Sequence, residues 1–530
     1  MKKIIFLSII ACLFLQVAAQ KQKNPKPPVK ITQQQMYEDF DQFLHIIETY
    51  NAQWEIRKEH TGYDMLAVLK QRREKIAHIK NYWEFIDFMD VSLDHVLDVH
   101  AFRREVYYDV PNPRYAPGQS FYDSIGIDAI STGIKHYLSQ IASNIPYRDY
   151  HQVIANHYLD GHYYMMSHFT FKNTHTRDSI CFQHARVIAY DYQPIDLYVK
   201  SQIGKLSPHR IRWDFNKQKY YTDLLCVSFN KTLKVEDETG VIYEFIPNQY
   251  GIKMQRSANK DIRENYEQYL SQYKEWERQR IIYLPEQKIL YIYTRMMNWQ
   301  EDYNLIDSIK KEGKDKLIDK IVIDVRGNEG GGDGFWMSML SAIIKDTLYF
   351  ESKLALNCND EVKAYFSAEF PPEMTQEYVM KEIPFLGNKK MLVHDGQSFI
   401  EPDSNSLQFE GQIYLFQDRD TYSSGLAFTS LARQIPQLVS MGMSTGHIAG
   451  FGFNPWGFQL KHSKFTFQFE TAIDLSKAEK WEDTFQCMPE IEVIPTVEEL
   501  ENYRSYRNIM ELEEFLLTYD YLFKKVLEMK

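Results

Sequence analysis

From residue 281 onward, short apolar runs alternate with helical stretches, and this alternation restricts the fold more than any other feature of the chain. The runs lie at 289–293, 321–325, 413–416 and 438–441, with helical spacing at 303–317 and 334–344 between them. Alternating strands and helices predict a layered α/β core over 281–505. Upstream, Met36, Phe40, Phe43, Leu44 and Ile47 recur at helical spacing, as do Phe85, Ile86, Met89, Leu93 and Leu97. They predict an N-terminal helical domain over 36–100. Residues 101–280 mix short apolar runs with turns, and 508–526 read as a last amphipathic helix within a C-terminal segment, 506–530.

The chain has 530 residues, 44% of them hydrophobic and 25% charged, which excludes a disordered or collagen-like protein. A formal charge of −11 with no basic block argues against nucleic-acid binding. Met1-Lys2-Lys3, the apolar run 4–15 and Val17-Ala18-Ala19 have the layout of a secretory signal peptide over 1–19. An uncleaved anchor and a lipid on Cys12 are the weaker alternatives. A Pro- and Lys-bearing linker, 20–35, follows. The expected product is exported, periplasmic or extracellular in the cell envelope, with no stable membrane span after cleavage. Beyond the leader remain Cys181, Cys226, Cys358 and Cys487, without C-x-x-C spacing. That spacing excludes a zinc ribbon or thioredoxin-like motif.

Three stretches carry chemistry. Ile321-Val-Ile-Asp324-Val-Arg326-Gly327-Asn328-Glu329-Gly330-Gly331-Gly332 is a strand, a glycine-rich turn and then a helix. Such a turn lets backbone N–H groups converge on an anion or a developing oxyanion, although a plain tight turn explains it as well. It matches neither a dinucleotide fingerprint nor a P-loop. Thr421-Tyr422-Ser423-Ser424-Gly425 stands between a strand and the helical run 426–435, where a serine is either an exposed nucleophile or an N-cap. Asp98-Val99-His100 ends the second helical segment and offers a general base or a simple cap.

Together these stretches resemble peptidase family S41, the tail-specific or C-terminal processing proteases and their tricorn-type relatives. The family's Asp-x-Arg-x-Asn-x-Gly-Gly turn is similar to Asp324 to Gly331, and its Thr-x-Ser-(Ala/Ser)-Gly segment to Thr421 to Gly425. Its upstream Asp-Gly-His-Thr resembles Asp98 to Ala101, and its closing Pro-Asp-Ile-x-Val-x-Pro-Thr resembles Pro489 to Thr496. The four motifs keep the family's order from about residue 36 to 505. The resemblance implies a crotonase-like (ClpP/crotonase) layered core and serine-type hydrolysis of polypeptides, without metal or cofactor. It makes Ser423 the nucleophile, with Ser424 and Gly330 or Gly331 as oxyanion donors.

The base is less uniform in the family. Processing proteases use a lysine, but Ile448 occupies its place, in Gly442 to Ala449. Tricorn-type members use an upstream histidine and an acid before the closing motif, which implies His100 and Asp483, with Glu482 adjacent. His447 is the alternative base. Many relatives carry a PDZ-type domain where 101–280 lies, and only Ser124 to Asp128 resembles one, so this region is expected to be a degenerate PDZ-like module at most.

Two other signals have plainer explanations. Gly442-Met-Ser444-Thr-Gly446 is a literal G-x-S-x-G, yet glycines and a proline follow where a hydrolase elbow needs a helix. His151, His157, His162, His168, His175 and His184 crowd one region without metal-ligand spacing, and structural or surface roles are expected. The function expected is an exported serine peptidase, favoured by Ser423, His100 and the glycine turn together. The alternative is a catalytically inactive scaffold of the same fold, favoured by the missing lysine and by Glu490 in place of the usual aspartate.

Overall fold

A computed structural model describes residues 27, 29–103, 153–165, 169–173, 175–182, 184–205, 211–228, 231–246, 250–254, 279–297, 299–369, 378–445, 455–485 and 487–529. The leader 1–19, the stretch Ser124 to Asp128, and His447 and Ile448 lie outside the described residues. Among the described residues no helix is long and apolar enough to cross a membrane.

The protein is mixed α/β. The described residues open with four helices, α1 (Gln33–Tyr50), α2 (Trp54–Thr61), α3 (Met65–Arg72) and α4 (Tyr82–Asp94). Thr32 starts α1 through a reciprocal capping box with Gln35, and Asn81 caps α4. A two-residue strand, β1 (Phe102–Arg103), follows. β2 (Val153–Leu159) belongs to an antiparallel sheet ordered Leu224–Ser228, β2, His162–Met165, Arg186–Tyr190, Leu233–Glu236, Ile242–Phe245.

The core sheet runs β3 (Gln279–Leu284), β4 (Ile289–Thr294), β5 (Lys320–Asp324), β6 (Gln412–Gln417), β7 (Leu438–Gly442), with a short edge strand at Ile491–Glu492. From β4 onward all neighbours are parallel. Helices α5 (Trp299–Gly313), α6 (Asp333–Ser341) and α7 (Ser424–Ser430) form the crossovers on one face. Alternation along each strand decides the layering. Leu290, Ile292, Ile321, Ile323, Ile413 and Leu415 pack toward Ile309, Trp336 and Phe428 of these helices. Tyr291, Val322, Tyr414 and Phe416 face the other way, onto Phe515, Leu522 and Phe523.

After β8 (Trp456–Gln459) and β9 (Thr466–Phe469), that second cover consists of α8 (Val497–Tyr506), α9 (Leu512–Thr518) and α10 (Tyr521–Glu528). The single helix expected over 508–526 is thus two. The Asp520 carboxylate accepts the amides of Leu522 and Phe523 and restarts the chain as α10. Among the described residues the N-terminal helices have no separate core: Phe40, Phe43, Phe85 and Met89 share one apolar cluster with the middle sheet and with β8 and β9. Phe43 meets Phe467 edge-on at 5.2 Å. That shared packing brings residue 100 to the core.

Arg326 pins the last helix to the sheet. Fully buried, its Nη2 donates to Asp324 Oδ2 and Asp520 Oδ2, both at 2.5 Å, and its guanidinium lies 4.7 Å from the Tyr503 ring. Removing one partner of a buried ion pair costs about 3–5 kcal/mol. Asp520→Ala therefore lowers the melting temperature markedly in calorimetry, and an unchanged melting curve would contradict this anchoring.

Candidate active site

The sheet places two loops at the carboxyl ends of adjacent parallel strands, where α/β folds present their ligands. The glycine turn leaves β5 and the Thr421–Gly425 segment leaves β6. Polar contacts tie the loops together. Thr421 Oγ1 donates to the Val325 carbonyl at 3.0 Å, the Tyr422 amide to the Asn328 carbonyl at 3.1 Å, and the Gly327 amide to Asp418 Oδ1 at 2.9 Å.

Ser423 is the residue between strand and helix, with φ 54° and ψ −129°. A non-glycine residue held there is strained, and such strain gathers at functional sites. Gly330 lies against it: a Cβ there would stand 2.5 Å from Ser423 Cβ. Gly331, at φ +139°, passes so close to Met297 that a Cβ would stand 2.0 Å from its carbonyl oxygen. Only glycine fits either place. The Gly330 amide donates to Asn328 Oδ1 at 2.8 Å. Met297 bonds the Gly330 carbonyl and the Gly332 amide, which turns the Gly331 N–H away from Met297. The Ser424 amide opens the first turn of α7, and its hydroxyl donates to Asp333 Oδ1 at 2.6 Å.

His100 arrives from the other half of the chain. β1 pairs antiparallel with β9, Phe102 opposite Gln468. Continuing that register sets residue 100 opposite residue 470. There, His100 Nδ1 lies 2.8 Å from Glu470 Oε1, the two side chains being 14% and 3% exposed. On the other side of the ring, Nε2 lies 3.2 Å from Ser423 Oγ. Asp98 fixes both backbones, accepting the His100 amide at 2.8 Å and the Glu470 amide at 2.6 Å. Burial works against a charged ring and is the largest influence on it. The Glu470 carboxylate, with Asp98 behind, outweighs that and holds the imidazole above its usual pKa. An imidazole set between a hydroxyl and a carboxylate can take the hydroxyl proton and be stabilised as it charges.

The structure thus brings Ser423, His100, Ser424, Gly330 and Gly331 together. Asp483 is elsewhere: its Oδ2 accepts the amides of Glu479 and Lys480 at 3.0 and 3.2 Å, closing a short 3₁₀ turn. The acid at the ring is Glu470, which the sequence reading passed over. A signal was present, since Glu470 follows the apolar alternation of Phe465, Phe467 and Phe469. Ser444 follows β7 and lines a small cavity with Trp213 and Glu492. Among the described residues no cluster of His, Cys, Asp and Glu could hold a metal ion.

Residues 288–498 match the model of peptidase family S41. No curated protein matches the chain. Among solved structures, mature CPAF is similar over 94% of this chain and 98% of its own, at 11% identity and TM-score 0.48. The photosystem II D1 C-terminal processing protease is similar over 88% of this chain and 94% of its own, at 8% identity and TM-score 0.35. Tricorn protease is similar over 94% of this chain and 37% of its own, at 10% identity and TM-score 0.28.

Proposed function

Because residues 288–498 match the model of peptidase family S41, we propose that the protein is a serine-type peptidase acting through Ser423, His100 and Glu470. The observation that carries this reading is the 3.2 Å approach of His100 Nε2 to Ser423 Oγ, joined across 323 residues of sequence. In the first step His100 takes the Ser423 proton as Oγ attacks the scissile carbonyl, and the ring later gives that proton to the leaving amine. Water then releases the acyl group by the same path. Glu470 holds the ring's tautomer and stabilises its charged form.

The oxyanion donors in this reading are the amides of Ser424 and Gly331, worth about 3 kcal/mol each in the transition state. Gly330 serves as spacing, since its own amide is given to Asn328. The parallel strands covered by helices on both faces support reading the core as crotonase-like, and the antiparallel sheet holding β2 is the part read as a degenerate PDZ-like module. The leader points to export and to polypeptide substrates in the cell envelope.

Hydrolysis of a quenched fluorescent casein against pH tests this reading. The base works only as neutral imidazole, so kcat/KM rises with pH through a limb that reports the free enzyme. With the ring held above its usual 6.5 by Glu470, that limb lies above 6.5 and moves down in Glu470→Gln. A limb unmoved by Glu470→Gln would remove Glu470 from the mechanism. Absence of hydrolysis at any pH would favour the inactive scaffold.

A further inference from the structure

Beside the serine lies a cavity of about 780 Å³ that the peptide chemistry above does not use. Its floor is the carboxyl end of the core sheet at Gly327 and Tyr422, its other walls β2 and α8. Tyr422 immediately precedes the nucleophile and its ring centroid stands 6.2 Å from that of His100. Tyr422 is therefore shared between the cavity wall and the surroundings of His100. The cavity volume falls within the range of ligand-binding clefts.

Six arginines and four acids line it, a positive excess in a chain of net charge −11. Most of the guanidiniums are committed. Arg212 pairs with Asp223 and Asp420, Arg419 with Asp223, Arg295 with Glu329, and Arg326 with Asp324 and Asp520. Arg504, on α8, is different. Among the described residues no carboxylate lies within ion-pair distance of it, and its Nη1 stands 2.7 Å from His157 Nε2. Asp223, Asp418 and Asp420 act on it only from across the cavity. His157, one of the crowded histidines, is kept neutral by burial and by Arg504, with its pKa lowered to about 3. Arg504 Nη1 thus donates to the neutral His157 ring and has no anionic partner at ion-pair distance among the described residues. A carboxylate supplies that anion, and guanidinium holds it through two parallel hydrogen bonds.

We propose that this cavity is a specificity subsite in which Arg504 and His157 receive the acidic side chain of a polypeptide substrate. The inference rests on the peptidase reading for the word substrate, but not for the binding itself. It makes Asp or Glu near the scissile bond the preferred residue of this enzyme.

The test uses full-length Ser423→Ala protein and dye-labelled dodecapeptides with amidated C-termini, a single Glu, Gln or Lys being moved through every position, and Gln peptides with a free C-terminus as a control. At one or two positions the Glu peptide binds about tenfold tighter than its Gln twin, as a charge-assisted pair implies. The preference disappears in Ser423→Ala/Arg504→Ala and turns toward Lys in Ser423→Ala/Arg504→Glu. That reversal separates recognition from a merely structural role for Arg504. Equal binding of all Glu and Gln twins, or no binding, overturns the proposal. So does tight binding confined to Gln peptides with a free C-terminus, which assigns the cavity to a chain end. A Glu preference in a wild-type protein that cleaves nothing would sink the peptidase reading and leave the subsite standing.

Discussion

His100→Ala lowers kcat about 10⁵–10⁶-fold while KM for the same peptide moves less than about threefold. The ring is placed to act on the Ser423 hydroxyl, and among the described residues no other histidine contacts that oxygen. Without it the serine keeps its proton and its weak nucleophilicity. Ser423→Ala brings the same loss, and the double variant is no worse than either, since both changes remove one unit. Steady-state kinetics on a cleaved peptide, with matched melting curves, measure this. Residual activity within tenfold of wild type in His100→Ala would show that another group is the base.

Glu470→Gln is the second large effect, a fall in kcat of about 10⁴-fold, because the amide neither fixes the ring's tautomer nor stabilises its charge. Asp483→Asn serves as its contrast and changes kcat less than about twofold, since Asp483 holds only the amides of Glu479 and Lys480. If the two variants exchanged these results, the acid would be the one the family resemblance implied. Asp98 links the pair further: it holds the amides of both His100 and Glu470, so the register of β1 on β9 is set by the residue that opens the histidine motif.

The contrast between these two acids shows what a sequence exposes and what it hides. The parallel core was readable because its strands are short, apolar and separated by helical periodicity, and 320–324 and 412–417 lie where the runs predict them. Ser423 and the glycine turn were readable because each sits in one local strand-to-helix connection, with chemistry confined to a few neighbouring residues. The Glu470–His100 contact was not, because it depends on a two-residue strand pairing with one more than 360 residues away. No local pattern encodes that register. The family resemblance implied Asp483, and the fold spends that carboxylate on a turn. The helix break at Asp520 was missed for a related reason: the apolar spacing of 508–526 continues through it, and only the cap hydrogen bonds reveal the restart.

The most direct test of the central claim is active-site labelling of the full-length protein with a fluorophosphonate probe. Wild type is compared with Ser423→Ala, His100→Ala and Ser444→Ala. Ser423 is expected to be the single labelled serine, with labelling lost in Ser423→Ala, reduced at least about 10³-fold in rate in His100→Ala, and unchanged in Ser444→Ala. Labelling that survives Ser423→Ala and vanishes in Ser444→Ala would contradict that claim.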